Sequence, residues 1–358
     1  MEEPTRNEGW TKDLNFLLSE IKRLHVDPYH KTSAKQLEEH TKLIETNISN
    51  LTDQEIVFEF MQLLASVGNG HNFIVPTQSL KGTFSQLPIY FYWFNDGIYI
   101  VSADQSHKHL VGRKVISVEG LPINFVMEKI SSINARDNEM QRYWLAPFYL
   151  SLPEVLKGLG IAADTNNVSL TLADENGSTE KVVLHGNPFS STGFPTLPKL
   201  ESSENPLYLK RKKENYWQLN NKEDNYLYIQ FNTVAQKKSQ SLQQFSKEIR
   251  KTINQDKIEN IILDLRHNSG GNGSILPALT RTLIYFSEKN TKNKLFVIVG
   301  RNTFSAAHLL LADLNRLTDA IIVGKPSGSR PNHLGEAGWF KLPHSGAKFY
   351  TQVFPVLL

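Results

Sequence analysis

Three short apolar runs near the end of the chain constrain its fold more than any other feature. "NIILDL" begins at Asn260, "LFVIVG" at Leu295 and "AIIVG" at Ala320. Continuous apolar runs of this length are what strands buried on both faces require, and such strands belong to parallel sheets. "LYIQF" from Leu227 adds another strand, and Leu242, Phe245, Ile249 and Ile253 recur at the spacing of an amphipathic helix between them. The alternation from Tyr226 onward predicts an α/β layer. Ligands of such layers gather at the carboxyl ends of the strands. Two of the runs end in polar turns, "RHNSGGNGS" and "RNTFSAA". Parallel strands deliver both turns to the same sheet edge.

The rest of the chain reads differently. Leu14, Leu17, Leu18, Ile21 and Leu24 mark a helix, and Thr52 with Glu55 forms a capping box ahead of "IVFEFMQLLASV". From Phe84 the pattern turns to strands, with hairpin signals at Asn95 to Gly97 and at Asn176-Gly177 and a tight turn at Glu119-Gly120. The expected organisation is an N-terminal helical segment over 1–83, a small β-rich domain over 84–186, a linker over 187–225 and an α/β domain over 226–358. A chain of 358 residues is long enough for two or three such domains.

Composition excludes several classes of function. The chain has no cysteine, so disulfides, thiolate catalysis and cysteine-bound zinc are ruled out. A net charge of +3, without a basic stripe carrying interleaved aromatics, does not read as a nucleic-acid binder. The KRKK run at 210–213 reads as a solvated loop. No stretch has the length of an apolar membrane span. The acidic, polar start "MEEPTRNEGW" is not a secretory leader. As written the sequence is expected in the cytoplasm, and with a leader removed it would work outside the membrane.

The chemistry concentrates in the two turns. Gly270, Gly271 and Gly273 let the backbone approach a ligand and turn N–H groups toward it, as a developing oxyanion needs. The phosphate-loop pattern is absent. Ser305 stands where a helix begins. Locally it is either an ordinary N-cap or a nucleophile at the helix mouth, where the following amide and the helix dipole favour negative charge. A serine needs a base. His71, His267, His308, His333 and Lys325 are the candidates, and spacing does not choose among them.

"IILDLRHNSGGNG", "VGRNTFSAAHLLL" and "IIVGKPSGSRPNHLGE" follow in order and at close intervals. Together they resemble the tail-specific (C-terminal processing) serine peptidases. The likeness is strongest to the branch holding the tricorn protease core and the interphotoreceptor retinoid-binding protein repeats. "LLASVGNGHNF" resembles that branch's histidine element, and "DGIYIVSA" with "LVGRKVISVEGLPI" its PDZ-like region. The resemblance implies an α/β multidomain fold with a PDZ-like β-rich domain and a crotonase/ClpP-like catalytic domain. It implies Ser305 as nucleophile and the amides of Ala306 and of Gly270 or Gly271 as oxyanion donors. It also implies His71 as base, Glu336 as its partner, and Asn332 and His333 beside the substrate.

The Ser/Lys version of the family places a lysine at the position held here by Arg330, and arginine stays protonated at neutral pH. Asn69 and Gly70 stand where the tricorn-like branch has aspartate and a serine linking histidine to glutamate. After "YTQVFPVLL" relatives continue with a further strand and helix. The implied activity is hydrolysis of peptide or protein substrates, gripped near the carboxyl terminus, without cofactor or metal. Two rival readings are a catalytically weak ligand-binding relative and a thioester hydrolase on the related crotonase-like layer. Oligomeric state is not legible.

Overall fold

A computed structural model describes residues 4–75, 84–189, 206–331 and 334–355, with backbone alone for 75, 334–337 and 352–355. The chain divides into two compact units. The first comprises Met1–Pro198 with Leu334–Val356, and the second Lys199–His333 with Leu357–Leu358.

The first unit opens with helices α1 (Arg6–Leu24), α2 (Ala34–Asn47) and α3 (Asp53–Val67). Each begins with a reciprocal capping box: Thr5 with Glu8, Ser33 with Gln36, and Thr52 with Glu55. The inward stripe of α1 (Trp10, Leu14, Leu17, Ile21) is fully buried. Next come β1 (Phe73–Val75), β2 (Ser85–Gln86), β3 (Ile89–Phe94), β4 (Gly97–Ala103), β5 (Lys114–Val118) and β6 (Leu121–Pro122). Helices α4 (Ile123–Ile130), α5 (Glu139–Leu150) and α6 (Pro153–Gly158) precede β7 (Asn167–Ala173), β8 (Thr179–His185) and β9 (Asn187–Pro188). An antiparallel sheet runs β3-β4-β5-β7-β8, and its hairpins fall at the turns read from the sequence.

The second unit carries β10 (Tyr216–Asn221), β11 (Tyr226–Phe231), α7 (Leu242–Gln255), β12 (Asn260–Asp264), α8 (Pro277–Lys289), β13 (Lys294–Val299), α9 (Ala306–Leu317) and β14 (Ile321–Gly324). Its sheet has the order β10-β11-β12-β13-β14, parallel from β11 onward. Leu227, Ile229, Leu263 and Val297 bury one sheet face against the stripe of α7 formed by Leu242, Phe245, Ile249 and Ile253. Asp264 interrupts its apolar run yet is buried. It accepts from the Tyr228 hydroxyl at 2.7 Å and pairs with Arg266 at 2.5 Å, which offsets the cost of burying a charge. β14 lies at the sheet edge with all four residues exposed.

Two segments depart from the expected organisation. The stretch 187–225 was expected as linker, yet it holds β10, whose Tyr216 and Trp217 are buried and which pairs antiparallel with β11. The C-terminal β15 (Leu334–Lys341) and β16 (Lys348–Pro355) were expected in the α/β domain. They instead pair with each other and with β1, in the order β1-β16-β15, and so belong to the first unit. Phe349 is buried there and Thr351 donates to Asn72 at 3.2 Å.

Candidate active site

β12 and β13 are parallel neighbours, so the turns that follow them emerge side by side. The turn after β13 leads into α9 through Thr303, Phe304 and Ser305. Thr303 is buried. Its hydroxyl donates to the Leu265 carbonyl at 2.8 Å and accepts from the Gly300 N–H at 3.1 Å. Ser305 follows with φ 51° and ψ −127°. The Ala307 N–H donates to the Phe304 carbonyl at 3.1 Å, closing a four-residue turn in which Ser305 holds the place that a type II′ turn gives to glycine. A side chain in this conformation costs about 1–3 kcal/mol and persists only where the surroundings impose it.

Ser305 differs from the other serines and threonines that begin described α-helices. Thr5, Ser33, Thr52 and Ser241 cap their helices at φ between −79° and −56°, each accepting from the N–H three residues on. Ser305 occupies the N-cap position of α9 and makes no side-chain cap bond. It is not an ordinary N-cap. Its N–H donates to the Ser329 hydroxyl at 3.0 Å, and its carbonyl accepts from His308 at 2.8 Å. Ser305 is half-buried, and its hydroxyl takes no part in capping the helix.

The glycine turn packs directly on this serine. A Cβ at Gly270 would stand 2.7 Å from Ser305 Cβ, 2.9 Å from the Phe304 carbonyl oxygen and 3.0 Å from the Ala306 nitrogen. Only glycine allows that approach, and its φ of 101° demands glycine as well. A Cβ at Gly271 would overlap the Val234 carbonyl. The two glycines differ as donors. The Gly270 N–H is taken by Asn268 Oδ1 at 3.0 Å, whereas the Gly271 and Ala306 N–H groups engage no acceptor among the described residues. Asn268 was not singled out in the sequence. It is fully buried, donates to the Phe231 carbonyl at 3.0 Å, and through its own carbonyl accepts the Phe304 N–H at 3.0 Å. One asparagine thus ties β11, the glycine turn and the serine turn together.

Among the candidate bases of this unit, His267 gives its Nε2 position to the Tyr208 carbonyl at 2.7 Å and stacks on the Tyr208 ring. Burial holds its pKa below the ordinary histidine range. His308 is buried and bonded through Nδ1 to Ser327 at 2.9 Å. The Lys325 N–H donates to the Val299 carbonyl at 3.3 Å, and Arg330 is exposed.

His71 lies in the first unit, in the turn between α3 and β1. α3 ends at Gly68 with φ 78°, and Asn69 follows at φ 75°. Asparagine tolerates this region, and its Oδ1 accepts the His71 N–H at 2.9 Å, fixing the turn that carries the imidazole. His71 itself is buried. The Gly70 N–H donates to Asp137 at 2.8 Å, and Gln141 Nε2 donates to the Gly70 carbonyl at 2.8 Å. A Cβ on Gly70 would overlap the Gln141 amide, so buried Gln141 fills the space where a relay serine would stand. Glu336 lies in β15, two strands from β1 in the same three-stranded sheet. Its side chain, together with Asn332 and His333, lies outside the described residues. His71 and Glu336 therefore share one unit while Ser305, Gly271 and Ala306 share the other. Among the described residues no three His, Cys, Asp or Glu side chains are placed to hold a metal ion, and no helix is long and apolar enough to cross a membrane.

Residues 225–287 match the model of Peptidase family S41. A comparison with curated protein sequences gives no match. Among solved structures, mature CPAF complexed with lactacystin is similar over 98% of this chain and 90% of its own, with TM-score 0.67 at 13% identity. Mature CPAF alone gives TM-score 0.67 at 12% identity, over 98% of this chain and 89% of its own. The photosystem II D1 C-terminal processing protease covers 97% of this chain and 88% of its own, at TM-score 0.40 and 12% identity. The two CPAF structures establish a shared mixed α/β multidomain fold.

Proposed function

We infer the following reaction for a chain of the S41 serine peptidases, the family that its residues 225–287 match. The substrate is a peptide or protein. Ser305 Oγ attacks the scissile carbonyl carbon, and His71 takes the hydroxyl proton. The charge that develops on the carbonyl oxygen is held by the Ala306 and Gly271 N–H groups. The C–N bond breaks as His71 returns the proton to the leaving amine. Water, deprotonated by the same imidazole, then hydrolyses the acyl-enzyme. Glu336 orients the imidazole and stabilises its charged form.

The observation that carries this reading is the uncapped, left-handed Ser305 at the head of α9, beside two uncommitted N–H groups. Strain of this kind gathers at reactive centres. Support for His71 comes from the Asn69 turn that fixes it, and from the commitment of His267 and His308 to other partners. Support for Glu336 comes from its strand, which shares a sheet with the strand after His71. Under this reading the β11–β14 layer is the crotonase/ClpP-like catalytic domain. The β3–β8 sheet is a PDZ-like module that grips the substrate's carboxyl end by strand addition. Asn332 and His333 line the substrate side.

Hydrolysis of a fluorogenic peptide library tests the reading. Parent activity is expected to fall on the order of 10⁴-fold or more in Ser305→Ala and to be strongly reduced in His71→Ala. A folded parent that cleaves no peptide, or cleavage that survives Ser305→Ala, contradicts it.

A further inference from the structure

Resting on the peptidase reading, we propose that Ser329 is a positioning residue of the hydrolytic turn: its hydroxyl holds the nucleophile's own N–H and so keeps Ser305 left-handed. The turn does not hold itself in this shape. Ser305 makes no cap bond, and a serine would relax to negative φ if its neighbours allowed. The restraint comes from outside the turn. Segment 327–329 reaches it twice, through the Gly328 N–H to the Thr303 carbonyl at 3.0 Å and through the Ser329 hydroxyl, which accepts the Ser305 N–H at 3.0 Å.

Ser329 is itself held. It is 2% exposed, and its carbonyl accepts from the Ser327 hydroxyl at 2.7 Å. Ser327 has one hydroxyl proton, which that bond uses. Its oxygen therefore accepts from His308, whose Nδ1 lies 2.9 Å away and carries the proton. His308 stands in the first turn of α9, the helix that Ser305 begins. The bonds close a ring from Ser305 through α9 to His308, Ser327 and Ser329 and back to Ser305. Within that ring Ser329 supplies the acceptor that the Ser305 N–H needs. Without it the N–H is left unpaired in a half-buried site, which favours relaxation of φ toward negative values. That relaxation turns the Ser305 hydroxyl toward the cap position and shifts the Ala306 N–H from the oxyanion.

The test compares Ser329→Ala and Ser329→Thr with the parent. The alanine variant is expected to lose about 10- to 100-fold in kcat with KM within about twofold, since misaimed donors act on the transition state. Threonine, which keeps the hydroxyl, restores most of kcat. A Ser329→Ala protein with parental kcat overturns the proposal, and so does a threonine variant as impaired as alanine. Hydrogen exchange at the Ser305 N–H of the parent needs neither turnover nor a folded variant. Protection is expected, and exchange at the rate of a free amide overturns the proposal. Because it is read without substrate, this measurement separates failure of the Ser329 assignment from failure of the peptidase reading.

Discussion

Ser305 pays for its position in backbone strain, and that strain is measurable apart from catalysis. Glycine adopts φ 51° without a Cβ penalty, so Ser305→Gly is expected to raise unfolding stability by about 1 kcal/mol, net of the looser unfolded chain. Ser305→Ala retains the Cβ and loses no cap bond, so it stays within about 0.5 kcal/mol of the parent. Urea unfolding of both variants checks this, and a glycine variant no more stable than the alanine one denies the strain. Gly270→Ala acts in the opposite sense. Its new Cβ meets Ser305 Cβ and the Phe304 carbonyl, so a loss of about 1–3 kcal/mol is expected together with most of the activity. Motif order carried in the sequence brought out the serine turn and the glycine turn, which pack together. Which glycine N–H is engaged was not legible, because it depends on which way the buried Asn268 side chain points.

At the scale of elements, the described α-helices that begin at a serine or threonine are capped by it in every case but α9, where Ser305 makes no cap bond. Ser241→Ala removes a working capping box from α7 and is expected to cost about 1 kcal/mol with kcat unchanged. Thermal unfolding alongside peptide hydrolysis separates that effect from Ser305→Ala, which spares stability and abolishes turnover. The His71 turn shows what spacing alone leaves open. Asn69 and Gly70 depart from the pattern of the peptidases that the sequence resembles, and their partners lie about 70 positions further along the chain. Asp137 and Gln141 take the two backbone bonds of Gly70, and the Gln141 amide fills the space that a side chain there would need. Such long-range substitution leaves no periodicity to read. β10 was hidden for a related reason. Its Tyr216-Trp217 pair sits among polar and charged residues, and tertiary packing against β11 and Phe245 of α7 buries it.

For the whole molecule, the parallel layer and the antiparallel hairpins were legible because both depend on short-range patterns of burial and turn residues. The return of β15 and β16 to the first unit was not, since alternation specifies a strand but not its sheet. The first unit also carries an acid-sensitive element. Burial, reinforced by the charge of stacked His30, lowers the His25 pKa from 6.5 to about 4. Asp27 opposes part of this lowering, and its N–H donates to His25 Nδ1 at 3.2 Å. The unfolded chain therefore takes up a proton that the folded chain refuses. The contribution of His25 is intact above about pH 6.5 and is lost as pH falls toward 4, by up to about 3 kcal/mol. His25→Asn keeps an acceptor near Asp27 without a titrating ring. It is expected to flatten the acid limb of stability measured by urea unfolding between pH 7.5 and 4.5, and an unchanged slope denies the role of His25.

Ser305 is proposed as a reactive nucleophile and not as a helix cap. Treatment with a serine-reactive phosphonate, followed by mass mapping of the labelled peptide, distinguishes the two roles. One adduct is expected, on Ser305, and it disappears in Ser305→Ala. A folded protein left unlabelled, or labelled elsewhere, would contradict the nucleophile role.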